Sequence, residues 1–325
     1  MNGLATVFGG SGFVGAQIVR ALAKRGYRIR VAVRRPGSAY RLPMLGDVGQ
    51  IEIIQANLRD ADSIVRALDG AQTCINAVGV LYESGRQSFA AIHVDGAGAV
   101  ASAARAAGVR ALVQISAIGA DPNSASAYGR SKAEGEARTH AGFPAATIVR
   151  PSVVFGPEDA FFNRFANLAM RAPVLPLIGG GETRLQPVFV GDVAAGVVAA
   201  LEQSAATGAT YELGGPTVYS FTQLMRIVLE VTGRRRPLVA VPALIARLLA
   251  RTGDLAAASG LMAPPLTSDQ LAMLAGDNIV SADALGLADL GIDARALEPI
   301  IPTYLWRYRR GGQYAESLAT AAAVG

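Results

Sequence analysis

The 325-residue chain is 51% hydrophobic and only 17% charged, with a net charge of +5 and a pI near 9.6. It can bury a large core in one large domain or two coupled ones, which excludes disorder for most of its length. Its arginines are dispersed, which argues against a nucleic-acid groove and leaves anionic cofactor phosphates or an anionic membrane surface to satisfy the charge. Cys74 is the only cysteine, so no intrachain disulfide forms, a reducing compartment fits and no metal centre is expected. The first strand is expected within a few residues of Met1, leaving no room for a presequence. Pro, Arg or Asp breaks every apolar run before it reaches the length that spans a bilayer.

Leu4 to Phe8 reads as a strand, followed by Gly9-Gly10-Ser11-Gly12-Phe13-Val14-Gly15 and a helix from Ala16 to Lys24. A strand, a tight glycine turn and a helix N-terminus cradle phosphate, because glycines let the backbone approach and unpaired N–H groups meet the anion. A glycine triplet alone is as readily a bare turn. Here it opens a series of alternating strands and helices, the context that makes it a dinucleotide site. Arg28 to Val33 forms the second strand, stopped by Pro36. The tip of that strand lies beside the adenosine ribose, where an acidic residue binds the 2′-hydroxyl of NAD. Arg34, 19 residues after Gly15, stands there instead. Arg34 and Arg35 therefore either point to the 2′-phosphate of NADP or only solvate a strand end.

Gln50 to Gln55 reads as a third strand, and Asp60 caps a helix to about Leu68, with Asn57 and Leu58 between them near the adenine. Thr73 to Asn76 is the fourth strand. Ala77, Val78 and Gly79 after it are small enough for close backbone approach, and Cys74 is read as an inert core residue. Ser88 to Ala107 is expected as one long Ala-rich helix, and Ala111 to Ile115 as a fifth strand ending at Ser116. Tyr128 and Lys132, four apart, share a helix face. A cation near the phenol favours phenolate and lowers the tyrosine pKa, which would make Tyr128 a usable acid or base, while Ser116 orients a substrate oxygen.

Ala146 to Val149 is the sixth strand, running into Arg150, Pro151, Ser152 and Val153; loops and short helices are expected from Phe155 to Gly181. Pro187 to Val190 and Tyr211 to Leu213 read as strands, and Ser220-Phe221-Thr222-Gln223 opens a helix with a capping box. Between Pro237 and Leu266, Leu244, Ile245, Leu248 and Leu249 share a helical face. The favoured reading packs that face on its own domain, over a membrane-surface or partner-binding helix. Tyr304 to Arg310 is either an interfacial anchor or a segment folded onto the body. The fold class is α/β, a Rossmann-like doubly wound parallel sheet with a smaller, mostly helical C-terminal lobe. Residues 1–155, joined by about 185–215, form the nucleotide domain; 156–184 and 216–310 form the lobe; 311–325 are expected to be a mobile tail.

At this point the chain resembles the short-chain dehydrogenase/reductase superfamily, in its extended or atypical branch. Gly9, Gly12 and Gly15 match its cofactor glycines, and Ser116, Tyr128 and Lys132 its catalytic trio. Arg150-Pro151-Ser152 matches the segment bordering the nicotinamide, and Phe189-Val190-Gly191-Asp192-Val193 the return to the nucleotide domain. A narrower resemblance, to the nucleotide-binding accessory subunits of respiratory complex I in bacterial form, rests on three stretches. They are Leu45-Gly46-Asp47-Val48-Gly49-Gln50; Phe155-Gly156-Pro157-Glu158-Asp159 with Phe162-Asn163-Arg164-Phe165; and Tyr304-Leu305-Trp306.

The resemblance implies tightly bound, mainly structural NADPH and other complex I subunits as partners. It also implies a peripheral seat on the cytoplasmic face of the inner membrane, near the membrane arm and the quinone site, with electrons travelling through other subunits. Phe8, Asn57 and Ile92-His93-Val94 depart from the superfamily pattern. His93 stands where a proton-relay asparagine is common, which puts turnover in doubt, and is expected to be structural. A free-standing NADPH-dependent reductase or epimerase is the alternative, with an NADPH-sensing binder behind it.

Overall fold

The computed structural model describes residues 2–259, 264 and 266–314. Strands and helices alternate through β1 (Asn2–Phe8), α1 (Phe13–Lys24), β2 (Tyr27–Val33), β3 (Ile51–Gln55), α2 (Ala61–Leu68) and β4 (Thr73–Asn76). The series goes on with α3 (Gly96–Ala106), β5 (Ala111–Ile115), α4 (Ala127–Gly142) and β6 (Thr147–Pro151). Shorter elements follow: β7 (Val154–Phe155), α5 (Phe162–Arg171), β8 (Leu175–Leu177), β9 (Arg184–Leu185), β10 (Val188–Phe189), α6 (Val190–Glu202) and β11 (Thr210–Leu213). Seven strands form one parallel sheet in the order β11-β6-β5-β4-β1-β2-β3. The fold is the Rossmann-like α/β sheet the alternation implied. Its order reverses between β1 and β4, so a crevice opens beyond their carboxyl ends.

Both faces of the sheet are covered, which is why its strands read as near-continuous apolar runs. Ile18, Val19 and Leu22 of α1 pack with Val193 and Val197 of α6 on one side, a core that Leu287 and Leu290 also enter. On the other side Ile64, Leu68, Val100 and Ala104 enclose Cys74, which is fully buried. Burial pushes that thiol far up, as an inert core cysteine requires.

The remaining elements are β12 (Tyr219–Ser220), α7 (Phe221–Val231), β13 (Leu238–Ala240), α8 (Ala243–Ser259), α9 (Ser268–Met273) and α10 (Pro302–Leu305). Phe155, Phe162, Phe221, Leu224, Tyr304 and Leu305 share a separate core here. The capping box of α7 is present, Ser220 accepting from the Gln223 N–H. Asp159 accepts from the N–H of Phe162 at 2.6 Å and of Asn163 at 3.2 Å, and the Tyr304 hydroxyl donates to it at 2.6 Å. Tyr304 to Tyr308 is therefore folded onto the body, locked to the Phe155–Asp159 motif. Asn278 ties this part to the sheet: its Oδ1 accepts from the Ser152 hydroxyl at 2.7 Å and the Val153 N–H at 3.2 Å, and its amide donates to the Ile118 carbonyl at 3.2 Å.

Two expectations are corrected. Residues 88–107 are not one α-helix: Ala90–Asp95 wind as a π-helical turn before α3. The wider turn lets His93 reach the loop after β4 and the face of α4 together. The apolar face of α8 is not packed on its own domain. Leu244, Ile245, Leu248, Leu249 and Leu255 are 78%, 52%, 65%, 52% and 74% exposed, whereas Ala246, Ala250 and Ala257 are buried. The helix docks through its alanine stripe, where close approach is cheapest, and turns the leucines outward. Of the expected tail 311–325, residues 311–314 are described and include a short helical turn, while residues 315–325, and residues 260–263 and 265 of the apolar stretch, lie outside the described residues.

Candidate nucleotide site

The turn after β1 needs its glycines. Gly9 has φ +76° and faces the Ala77 backbone, 3.0 Å from where a Cβ would sit; a Cβ on Gly15 would lie 2.3 Å from the Gly9 carbonyl oxygen. The turn is closed by the Gly12 N–H donating to that carbonyl at 3.0 Å. The first N–H taken up inside α1 is that of Ala16, to Gly12 at 2.8 Å. The N–H groups of Phe13, Val14 and Gly15 are thus left to face an anion. Gly12 supplies no side-chain cap and the first turn carries no acid, so the positive helix end is not neutralised. A cradle that a Cβ would fill, floored by free N–H groups, fits a pyrophosphate.

The cleft beyond it is lined by Gly9, Ser11, Gly12, Arg34, Asn57, Leu58, Ala77, Val78 and Gly79 among the expected residues. Gly10 packs beneath the turn, tight against Val31, and Arg35 does not line the cleft. Phe8, Ala32, Val33, Ala56, Val80, Gln87 and Ile92 also line it and were not nominated. Most are strand-end or loop residues without chemistry of their own, so only their place in the sheet marks them. Arg34 and Arg35 are exposed, and among the described residues neither has an ion-pair partner. The Asn57 side-chain Oδ1 accepts from the Arg59 N–H at 3.2 Å, leaving its amide hydrogens for a ligand in the cleft.

Ser116, Tyr128, Lys132, Pro151, Ser152 and Val153 are not among the residues lining this cleft; they lie at or just beyond the carboxyl ends of β5 and β6 and on α4. Lys132 Nζ lies 3.5 Å from the position of a Cβ on Gly79, which joins the two halves of the site. It donates to the Ile115 carbonyl at 3.2 Å and stands 5.7 Å from the centroid of the Tyr128 ring. Burial pulls the ammonium down to about 8, opposed by Glu136. The phenol of Tyr128 is not depressed as the spacing suggested. Burial pushes it up and Asp269 adds to the rise, because the ammonium sits over the ring face instead of bonding to the hydroxyl.

Ser116 is also engaged differently from expectation. Its hydroxyl donates a short hydrogen bond to Glu136. The same carboxylate grips Arg150, from Nε at 2.9 Å and Nη2 at 2.6 Å, and Arg150 reaches Glu212 at 3.4 Å. The Ser152 hydroxyl is likewise spent on Asn278. His93 is buried with both nitrogens satisfied: Nε2 accepts from the Val80 N–H at 3.0 Å, and Nδ1 lies 2.9 Å from the Ser131 hydroxyl. That hydroxyl already donates to the Tyr128 carbonyl at 2.8 Å, so Nδ1 carries the proton and donates it to Ser131. Burial holds the ring neutral, its pKa lowered to about 3 with Lys132 contributing.

Three functional residues escaped sequence reasoning. Glu136 follows Lys132 by four and so shares its helix face, a signal that was available. Asn278 and Asp269 carry none, since they arrive from distant sequence. Asp269 accepts from the Ser126 hydroxyl at 2.9 Å, the Ala127 N–H at 2.5 Å and the Tyr128 N–H at 3.1 Å, capping the helix that bears Tyr128 and Lys132.

Residues 5–214 match the family described as the NAD dependent epimerase/dehydratase family. The chain belongs to that family. It is 36% identical over 316 residues to NADH dehydrogenase (ubiquinone) 1 alpha subcomplex subunit 9 of Arabidopsis thaliana mitochondria, covering 95% of this chain and 79% of that protein. The same-named Mus musculus protein is 33% identical over 297 residues, covering 91% and 78%. A ceramide reductase of Caulobacter vibrioides is 33% identical over 241 residues, 74% of each chain. The crystal structure of gox2253 superposes with a TM-score of 0.71 at 25% identity, covering 96% of this chain and 99% of that one. A nicotinamide nucleotide is the cofactor class of this family, and the glycine cradle with its free N–H groups suits one.

Proposed function

We propose that the chain is an NADPH-binding accessory subunit of a respiratory NADH:quinone oxidoreductase, complex I, and that its nucleotide is mainly structural. The plant and mouse relatives support the assembly, since both carry that complex's name over nearly the whole of this chain. The observation that carries the structural role is the commitment of Ser116 to buried Glu136, which spends the hydroxyl a substrate oxygen would need. Arg34 at the rim, with no acid in its place, favours the 2′-phosphate of NADPH. A ligand that binds only the folded state at a thousand times its Kd stabilises it by about 4 kcal/mol.

The outward leucines of α8, interleaved with exposed Arg247 and Arg251, suit an anionic lipid surface. Among the described residues no helix is long and apolar enough to cross a membrane, so the seat in this reading is peripheral, on the cytoplasmic face of the inner membrane near the membrane arm. The test is a native gel of mildly solubilised membranes, probed for this chain and for NADH dehydrogenase activity. Co-migration with the large NADH-oxidising band is expected, and migration as a small separate species sinks the reading.

The ceramide reductase relative, with Tyr128 and Lys132 in place, favours a second reading: a free-standing NADPH-dependent reductase. The nucleotide would supply hydride, Tyr128 the proton at the substrate oxygen, and Lys132 the charge that steadies it. Turnover of lipid ketones with NADPH by the isolated chain is the observation that would establish it.

A further inference from the structure

We propose that the nucleotide cleft and the outward leucine face of α8 are coupled through two aspartates, Asp269 and Asp254. Tyr128 and Lys132 lie on the first two turns of α4, whose own first turn carries no acidic residue. Its positive end is held instead from the other lobe by the three hydrogen bonds to Asp269. The N-terminal turn of α4, which bears Tyr128, is therefore tied to where α9 sits.

Among the described residues, α9 is seated by polar bonds as well as by packing on α8. The helix is six residues long and fully buries none of its residues. The residue before Asp269 is held by α8: Ser268 donates its N–H to Asp254 at 3.0 Å and its hydroxyl at 2.6 Å. Gly253 keeps the backbones together, since a Cβ there would lie 1.7 Å from the Leu266 carbonyl oxygen. Beyond α9, the Thr183 hydroxyl donates to the Leu274 carbonyl at 2.7 Å, a tie to the lobe body. Ser268 and Asp269 are adjacent, so a displacement of α8 is handed directly to the carboxylate that caps α4.

The coupling is reciprocal. Nucleotide held by Tyr128 and Lys132 favours seated α9 and α8, and an anionic lipid surface seated on the α8 leucines changes nucleotide affinity by the same factor. The inference rests on the reading that the cleft takes a nicotinamide nucleotide, and not on assembly into a larger complex.

The experiment uses the full chain, with NADPH affinity measured by calorimetric titration and amide hydrogen exchange followed over α4, α8 and α9 with and without NADPH. In the wild type, NADPH slows exchange in all three helices. Asp254→Ala, which touches neither α4 nor the cleft, weakens NADPH by about fivefold or more and removes the protection of α8 while leaving that of α4. Ser268→Ala, which takes away one hydroxyl bond, shifts both readouts the same way by less. Wild-type affinity with wild-type α8 protection in Asp254→Ala overturns the coupling, as does an α8 that NADPH never protects. A wild type that binds neither NADPH nor NADH defeats the cofactor reading itself.

Discussion

The Ser116 hydroxyl is donated to Glu136, and the same carboxylate holds Arg150 in a two-pronged grip. A group placed where catalysis would need it free has become the end of a buried chain that runs on to Glu212. Glu136 is nearly buried, with 10% of its side chain exposed, and Arg150 retains 25%. Removing one partner of such a pair leaves an uncompensated buried charge, which costs several kcal/mol. Glu136→Ala is expected to lower unfolding stability by about 3 kcal/mol, and Ser116→Ala by only about 1 kcal/mol. Urea denaturation of the two variants measures both; equal losses would show that the hydroxyl, and not the ion pair, anchors the network.

Gly15 lies where a side chain has no room, because the obstacle is the Gly9 carbonyl and not a flexible neighbour. Gly15→Ala must open the turn and carry the N–H groups of α1 away from the anion. Bound nucleotide, read as absorbance at 260 and 340 nm after purification or by titration, is expected to fall by tenfold or more, as one lost charge-assisted hydrogen bond of about 1.5–3 kcal/mol would give. The far-ultraviolet spectrum should stay that of the wild type, since the sheet does not depend on the turn.

Much of this site was legible beforehand. Thr73–Asn76 and Ala111–Ile115 are strands over the very residues read from sequence, because buried parallel strands are short apolar runs bounded by turn signals. The glycine cradle was legible because the backbone itself imposes it. The face of α8 was not: periodicity finds an apolar stripe but cannot say whether leucines or alanines meet the body. The spacing of Tyr128 and Lys132 made them neighbours without fixing the ammonium over the ring. Asp269 caps a helix whose first residue lies 142 positions earlier, and no local pattern encodes a contact of that reach.

Arg34 lines the cleft and Arg35 does not, so the two should differ. Arg34→Ala is expected to weaken NADPH by roughly tenfold or more, a charge-assisted hydrogen bond being worth about 1.5–3 kcal/mol, while leaving NADH nearly unchanged. Arg35→Ala should change either by less than threefold. Titration with both nucleotides checks this, and equal losses for NADPH and NADH in Arg34→Ala would remove the basis for preferring the phosphorylated cofactor.

Lys132 is a buried base whose pKa is lowered from 10.5 to about 8. Below pH 8 it is charged in both folded and unfolded chains, and the folded state bears the cost of burying that charge. Between about pH 8 and 10.5 the folded chain releases its proton first, and the cost fades. Without nucleotide, Lys132→Met should therefore melt higher than the wild type at pH 7, with the advantage shrinking towards pH 10. With NADPH present the order should reverse, since the ammonium is lost as a ligand contact. Thermal melts at both pH values, with and without nucleotide, decide it.

His93 gives the same sign at the acid end, with stability again falling as the pH falls. Its ring is neutral in the folded chain, with a pKa lowered from 6.5 to about 3. Above pH 6.5 neither state is protonated and the group contributes no pH dependence. As the pH falls towards 3 the unfolded chain takes up a proton that the folded ring refuses, so stability drops by up to about 1.4 kcal/mol per pH unit. Burial and then the nearby Lys132 charge enforce this, and a protonated Nε2 could no longer accept from the Val80 N–H. His93→Gln should be less stable than the wild type at pH 7, because one of the two hydrogen bonds is lost or bent, yet the gap should close as the pH falls to 4. Urea midpoints of both proteins between pH 7 and 4 measure the gap; a constant difference would mean that the ring titrates as freely in the folded chain as in water.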